Sequence, residues 1–91
     1  MKRVIIITYD LMSPGQNYTR LTNRIRTYSE WAKVGYSCYL VYTTWTPNQV
    51  RDDLLNYIDS NDKLYVGLSP APSAWYGLDS VVSQWILDRQ V

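Results

Sequence analysis

Ninety-one residues, 46% apolar and 19% charged, have the size and composition of a single globular domain rather than a disordered chain. With no histidine and one cysteine, Cys38, the chain excludes histidine-based acid–base and triad chemistry, nearly all zinc sites and any internal disulfide. Nine basic side chains against eight acidic ones leave a net charge of +1, well below that of a dedicated duplex-DNA binder, so no strong duplex-DNA binding is expected.

Val4 to Thr8 (VIIIT) is a β-branched run that reads as a central strand. Thr8, Tyr9 and Asp10 end the basic and apolar start too early for a secretory leader, and no apolar run reaches the roughly 18 residues of a membrane helix. A cytoplasmic protein with no membrane partner is therefore expected. Met12 to Asn17 is a Pro-Gly turn, and Tyr18, Leu21, Ile25 and Tyr28 then repeat at helical spacing, predicting a helix over 18–28 with Asn17 as its cap. Trp31 to Val34 reads as a short strand and Tyr36 to Thr43 as a strong one, with Gly35 marking a tight hairpin or bulge between them. Thr46, Pro47 and Gln49 spell a capping box with Pro at the first helical position. In that second helix Val50, Leu54, Tyr57 and Ile58 form the buried stripe, and Arg51, Asp52, Asp53 and Asn56 face water. Lys63 to Leu68 is the fourth strand. After the loop from Ser69 to Ser73, the residues Leu78, Val81, Val82, Trp85 and Ile86 mark a third amphipathic helix that frays by Gln90.

The order β-α-β-β-α-β plus a helix is that of the split β-α-β, or ferredoxin-like, α+β fold. One domain is expected over 1–91, with a core over 1–68 and a C-terminal loop and helix over 69–91. The helices of the core cover one face of a four-stranded antiparallel sheet. The other face needs its own cover, from the C-terminal helix or from a partner's sheet.

The run Ile5-Ile6-Ile7-Thr8-Tyr9-Asp10-Leu11, the strand Ser37-Cys38-Tyr39-Leu40, and Ile58-Asp59 followed by Asp62-Lys63-Leu64-Tyr65-Val66 resemble CRISPR-associated protein two, the small dimeric partner of the spacer integrase. Across nearly the whole chain, the motifs over Tyr9 to Tyr18, Val50 to Leu54, Ala74 to Leu78 and Ser83 to Trp85 look like those of the small bacterial and phage proteins labelled the SinR family. The first resemblance implies a ferredoxin-like homodimer acting on nucleic acid, as a metal-dependent nuclease or as a scaffold. It also implies a metal-binding role for Asp10 at the end of the first strand and a site role for Ser37.

Read from the residues themselves, Asp10 is the one candidate for catalysis. Two copies across a dimer axis would hold Mg2+ or Mn2+, which takes carboxylates together with water and phosphate oxygens; otherwise Asp10 caps the following turn near Ser13. Beside it, Tyr9 and Ser13 are candidate ligand contacts, Ser13 in a loop that would cradle a phosphate at a helix start. Arg20 and Arg24, with Arg26, lie on the polar side of the first helix, as a solvated face or a nucleic-acid contact. Trp75 and Tyr76 either stack a base or anchor an interface. Cys38 is an inert packed thiol. The function expected is a homodimeric protein handling RNA or nucleotides, as a metal-dependent ribonuclease. The alternative is a non-catalytic protein that binds a nucleotide or a partner protein through its Tyr/Trp surface, as in phage–host conflict.

Overall fold

Three consecutive isoleucines placed between two further strands have no polar side to turn outward, and the strand they build lies inside the sheet. The structure, a computed structural model, describes residues 1–12 and 18–90. Its elements are β1 (Arg3–Asp10), α1 (Tyr18–Ile25), β2 (Trp31–Gly35), β3 (Cys38–Thr43), α2 (Pro47–Leu54) with a 3-10 turn (Leu55–Tyr57), β4 (Lys63–Leu68) and α3 (Ser80–Arg89). The strands form one sheet in the order β2-β3-β1-β4, every neighbour antiparallel. This is the strand order of the ferredoxin-like α+β fold.

Alternation along β1 divides the core in two. Ile5, Ile7 and Tyr9 point to one face, where Tyr39 and Val41 of β3 join them beneath Leu21 and Ile25 of α1 and Val50 and Leu54 of α2. Val4 and Ile6 point to the other face, where Leu40, Val34 and Tyr42 meet Val82, Trp85 and Ile86 of α3 and Trp75 and Leu78 of the segment before it. The second face is thus covered in large part by the chain's own C-terminal helix. Towards β4 it stays open, and Tyr65 is exposed there. No helix among the described residues is long and apolar enough to cross a membrane.

Several boundaries differ from the sequence reading for local reasons. Helix α1 stops at Ile25 rather than Tyr28, because Thr27 and Tyr28 close onto Arg24 and Ile25 through i to i−3 bonds and the Thr27 hydroxyl also donates to the Arg24 carbonyl. Tyr36 and Ser37 form the two-residue turn between β2 and β3 instead of opening the strand, and the register shifts between Lys33 and Gly35. Helix α2 carries the expected capping box, with Gln49 N–H donating to Thr46 Oγ1 at 3.2 Å and Thr46 N–H to Gln49 Oε1 at 2.8 Å. Asp79 caps α3 through Val82 N–H at 2.8 Å. Val81, expected in the buried stripe, is 77% exposed, since Val82, Trp85 and Ile86 at i, i+3 and i+4 already fill the face turned to the sheet.

Candidate functional site

The expected site lies where β1, the β2–β3 turn and the start of β4 meet. Tyr9 sits on the helix side of β1, buried, its ring 6.0 Å from Tyr18, which in turn lies 6.2 Å from Tyr36. Burial pushes the Tyr9 hydroxyl up to about 12, with Tyr39 adding to the rise. Its N–H donates to the Ser37 carbonyl at 3.2 Å, which ties the hairpin turn to β1. Asp10, one residue on, points to the opposite face and is exposed. It stands at the lip of a shallow hollow of roughly 210 Å³ with Thr8, Lys63 and Tyr65. Ser13 and the expected cap Asn17 lie outside the described residues.

The end of β1 is tied by the carboxylate of Asp62, while the turn near Ser13 that Asp10 was expected to cap lies outside the described residues. Asp62 Oδ1 accepts from Met12 N–H at 2.9 Å and Oδ2 from Asp59 N–H at 2.8 Å, joining the end of β1 to the turn before β4. The Asp10 side chain makes no hydrogen bond or ion pair with the described residues. No three His, Cys, Asp or Glu side chains among the described residues come together to hold a metal ion.

The arginines expected on a solvated face are braces. Arg24 meets Asp53 side on, Nε to Oδ2 at 2.9 Å and Nη2 to Oδ1 at 2.7 Å, and Tyr28 Oη donates to the same Oδ2 at 2.9 Å. Asp53, expected to face water, is thus the partner that locks α1 to α2; its carboxyl is held below the usual range by the Arg24 guanidinium first and the Tyr28 hydroxyl after it. Arg20 donates to the Asn56 carbonyl at 3.0 Å. Arg26 donates to Tyr39 Oη at 3.0 Å and lies 5.4 Å from the Trp31 ring. The adjacent aromatics Trp75 and Tyr76 divide: Trp75 packs in the second core with Nε1 donating to Ser83 Oγ at 3.0 Å, while Tyr76 is 100% exposed. Burial raises the Cys38 thiol, in keeping with an unreactive group.

A better-formed hollow lies at the other end of the sheet. The segment after α1, the first residues of the chain and the end of β3 enclose roughly 390 Å³ between Tyr28, Tyr42, Trp45 and Lys2, with the hydroxyls of Thr27 and Ser29 on its wall. Tyr28 and Trp45 meet edge to face, centroids 5.8 Å apart and planes at 73°. Lys2 Nζ lies 5.8 Å from the Tyr42 centroid. The size is that of a small-molecule site, and apolar walls with a few polar groups are what such sites share. Arg24 also lines it, but with its guanidinium committed to Asp53. Of the residues picked out by sequence, only Arg24 is here. The usable signal was the pairing of β1 with β3, which sets Arg3 opposite Thr43 and so brings Lys2 towards Trp45.

Fold and sites together define a small α+β protein of ferredoxin-like topology with an aromatic hollow at one sheet end and the exposed carboxylate of Asp10 at the other. Compared with known proteins, the chain matches no family model, no curated protein and no solved structure.

Proposed function

We propose that the chain is a non-catalytic protein that binds a nucleotide, free or within single-stranded RNA, with the base held against Trp45. The observation that carries this reading is the hollow itself: the rings of Tyr28, Tyr42 and Trp45 gathered round one space, with Ser29 and the Glu30-paired Lys2 on its wall. A base stacks on any aromatic face, and each such contact contributes about 1–3 kcal/mol. The commitment of Arg20, Arg24 and Arg26 to partners within the fold supports binding over hydrolysis, as does the lack of a three-residue metal-ligand cluster among the described residues. The reading keeps the nucleic-acid class that the motif resemblance implies.

The homodimer belongs to the same proposal, and the edge of β4 supports it. Ser69 N–H donates to the Val4 carbonyl at 2.9 Å, and continuing that alternation along the β1–β4 register turns the N–H and C=O groups of Leu64, Val66 and Leu68 outward. No proline or inward charge guards this edge, which invites a second copy. The nuclease reading keeps one observation of its own, the exposed Asp10 near that edge, where a two-fold dimer would bring a second carboxylate.

Titrating the protein with nucleoside 5′-monophosphates and a short single-stranded RNA, read by tryptophan fluorescence, tests the proposal. Binding that weakens by roughly 5- to 150-fold in Trp45→Ala is the expected result. Absence of binding by the parent protein, or full binding by Trp45→Ala, overturns it.

A further inference from the structure

A second hollow adjoins the aromatic one. It measures roughly 450 Å³, shares Lys2 and Tyr42 as the common wall, and adds Arg3 and Arg89. Its charge is unbalanced. Among the described residues Glu30 is the one carboxylate tied to these cations, and it takes both Lys2 at 2.8 Å and Arg89 at 3.0 Å. Arg3 makes no ion pair or side-chain hydrogen bond among the described residues. The Lys2 ammonium first, and the Arg89 guanidinium with it, lower the Glu30 carboxyl, so it is ionised at neutral pH and already shared.

The cations are also held in place. Arg89 lies 4.4 Å from the Trp85 ring and 5.9 Å from that of Tyr42, and its Nη1 donates to the Trp85 carbonyl at 3.1 Å. Gln90, next to it, donates from Nε2 to the Ser69 carbonyl at 2.6 Å and contacts the Ser73 hydroxyl, so the end of α3 is fastened across the floor of the hollow. A guanidinium fixed by stacking and by backbone contacts needs little reordering to meet an anion.

We propose that this basic hollow, with Lys2, Arg3 and Arg89, receives the terminal phosphate of a nucleotide whose base occupies the neighbouring aromatic hollow. The proposal rests on the nucleotide-binding reading and names its ligand more closely: a nucleoside monophosphate, free or as the phosphorylated end of an RNA, in preference to a nucleoside or an internal phosphodiester. A terminal phosphate carries between about −1.5 and −2 charges at pH 7, against −1 for a diester, and three acceptor oxygens for the guanidinium and ammonium donors. Contiguity supports one ligand for both hollows, because Lys2 and Tyr42 face into each.

The test compares adenosine, adenosine 5′-monophosphate, and a short RNA with and without a 5′-phosphate, by calorimetry at low salt, on the parent protein, Arg3→Ala and Trp45→Ala. Arg3 is the fold-safe choice, since its side chain is exposed and its place in β1 is held by backbone pairing with Thr43. The parent should bind the monophosphate at least ~10-fold more tightly than adenosine, a gap that shrinks as salt rises. In Arg3→Ala the ratio should fall towards one, whereas Trp45→Ala should weaken both ligands and keep a ratio above one. The two RNA arms separate sources: preference for the phosphorylated RNA over the free monophosphate assigns the site to RNA ends, and the reverse to free nucleotides. Equal binding of adenosine and its monophosphate by the parent, or an unchanged ratio in Arg3→Ala, overturns the phosphate site and leaves the aromatic site standing. Inorganic phosphate alone, followed by NMR at the arginine side chains, reads the hollow without any base. If it shifts Arg3 and Arg89 while no nucleoside or nucleotide binds, the anion site survives and the nucleotide reading falls; if neither phosphate nor any nucleotide acts, both fall.

Discussion

Replacing Asp53 by Ala removes the acceptor of three hydrogen bonds at once, two from Arg24 and one from Tyr28. Bonds to a charged group are individually worth about 1.5–3 kcal/mol. The side chains of Arg24 and Asp53 are 32% and 14% exposed, so the orphaned guanidinium recovers part of its hydration and the sum is discounted accordingly. A net loss of about 2 kcal/mol follows, or roughly 10 °C in Tm for a domain of this size. Urea unfolding at pH 7, read by tryptophan fluorescence, measures it directly. The pH dependence has a definite sign. The folded Asp53 carboxyl lies below its unfolded value of about 3.9, so its stabilisation is complete above that value and is lost as pH falls through the folded one. The gap between parent and Asp53→Ala should be flat from pH 7 to about 5 and should close in stronger acid. A gap under about 0.5 kcal/mol at pH 7, or one that widens on acidification, would refute the reasoning. The same variant bears on the hollow, because the ring of Tyr28 that Asp53 holds is the one meeting Trp45 edge to face.

Trp75→Ala should destabilise the fold by about 3 kcal/mol in thermal or urea melts, whereas Tyr76→Ala next to it should stay within about 0.5 kcal/mol, because only Trp75 is packed. Ile86, 4% exposed, closes the second face, and its replacement by Ala should cost about 2–4 kcal/mol and raise binding of a hydrophobic dye; Val81→Ser on the outer side of the same helix should change neither. Asp10→Asn should melt with the parent protein, and Mn2+ should move neither curve. A metal-dependent rise in the parent that vanishes in Asp10→Asn would return the nuclease reading to first place.

What could be read from the sequence was what depends on near neighbours. The Thr46 capping box needs three residues and formed as spelled. The β-branched run of β1, the alternation of Tyr39 and Val41 against Leu40 and Tyr42, and the Val82, Trp85, Ile86 triplet each carry their period within a few positions. What could not be read depends on partners far along the chain. Periodicity placed Asp53 towards water because its neighbours Arg51 and Asp52 are there, but Arg24 lies 29 residues away and takes it. The carboxylate that takes the Met12 N–H just after β1, Asp62, stands 50 residues on along the chain. Tyr36 has the propensity of a strand residue, yet the chain must reverse there, and topology overrode propensity. The aromatic hollow gathers Lys2, Tyr28 and Trp45 from three separate segments, and only the strand register connects them.

The charge balance shows the same division between what is local and what is not. A net charge of +1 argues against a protein that grips a long polyanion, and that argument holds for the molecule as a whole. It says nothing of how the charges are spent. Arg20 is bound to a backbone carbonyl, Arg24 to Asp53, Arg26 to a tyrosine hydroxyl and Arg51 to Asp52, so these four contribute little to any ligand. Lys2, Arg3 and Arg89 line one hollow, where Glu30 is the carboxylate paired with them among the described residues. A short-range field of that kind suits one phosphate better than a duplex, because at physiological salt it fades within about 8 Å. Near-neutrality and a phosphate site are therefore compatible in this fold, and the ligand they favour together is small.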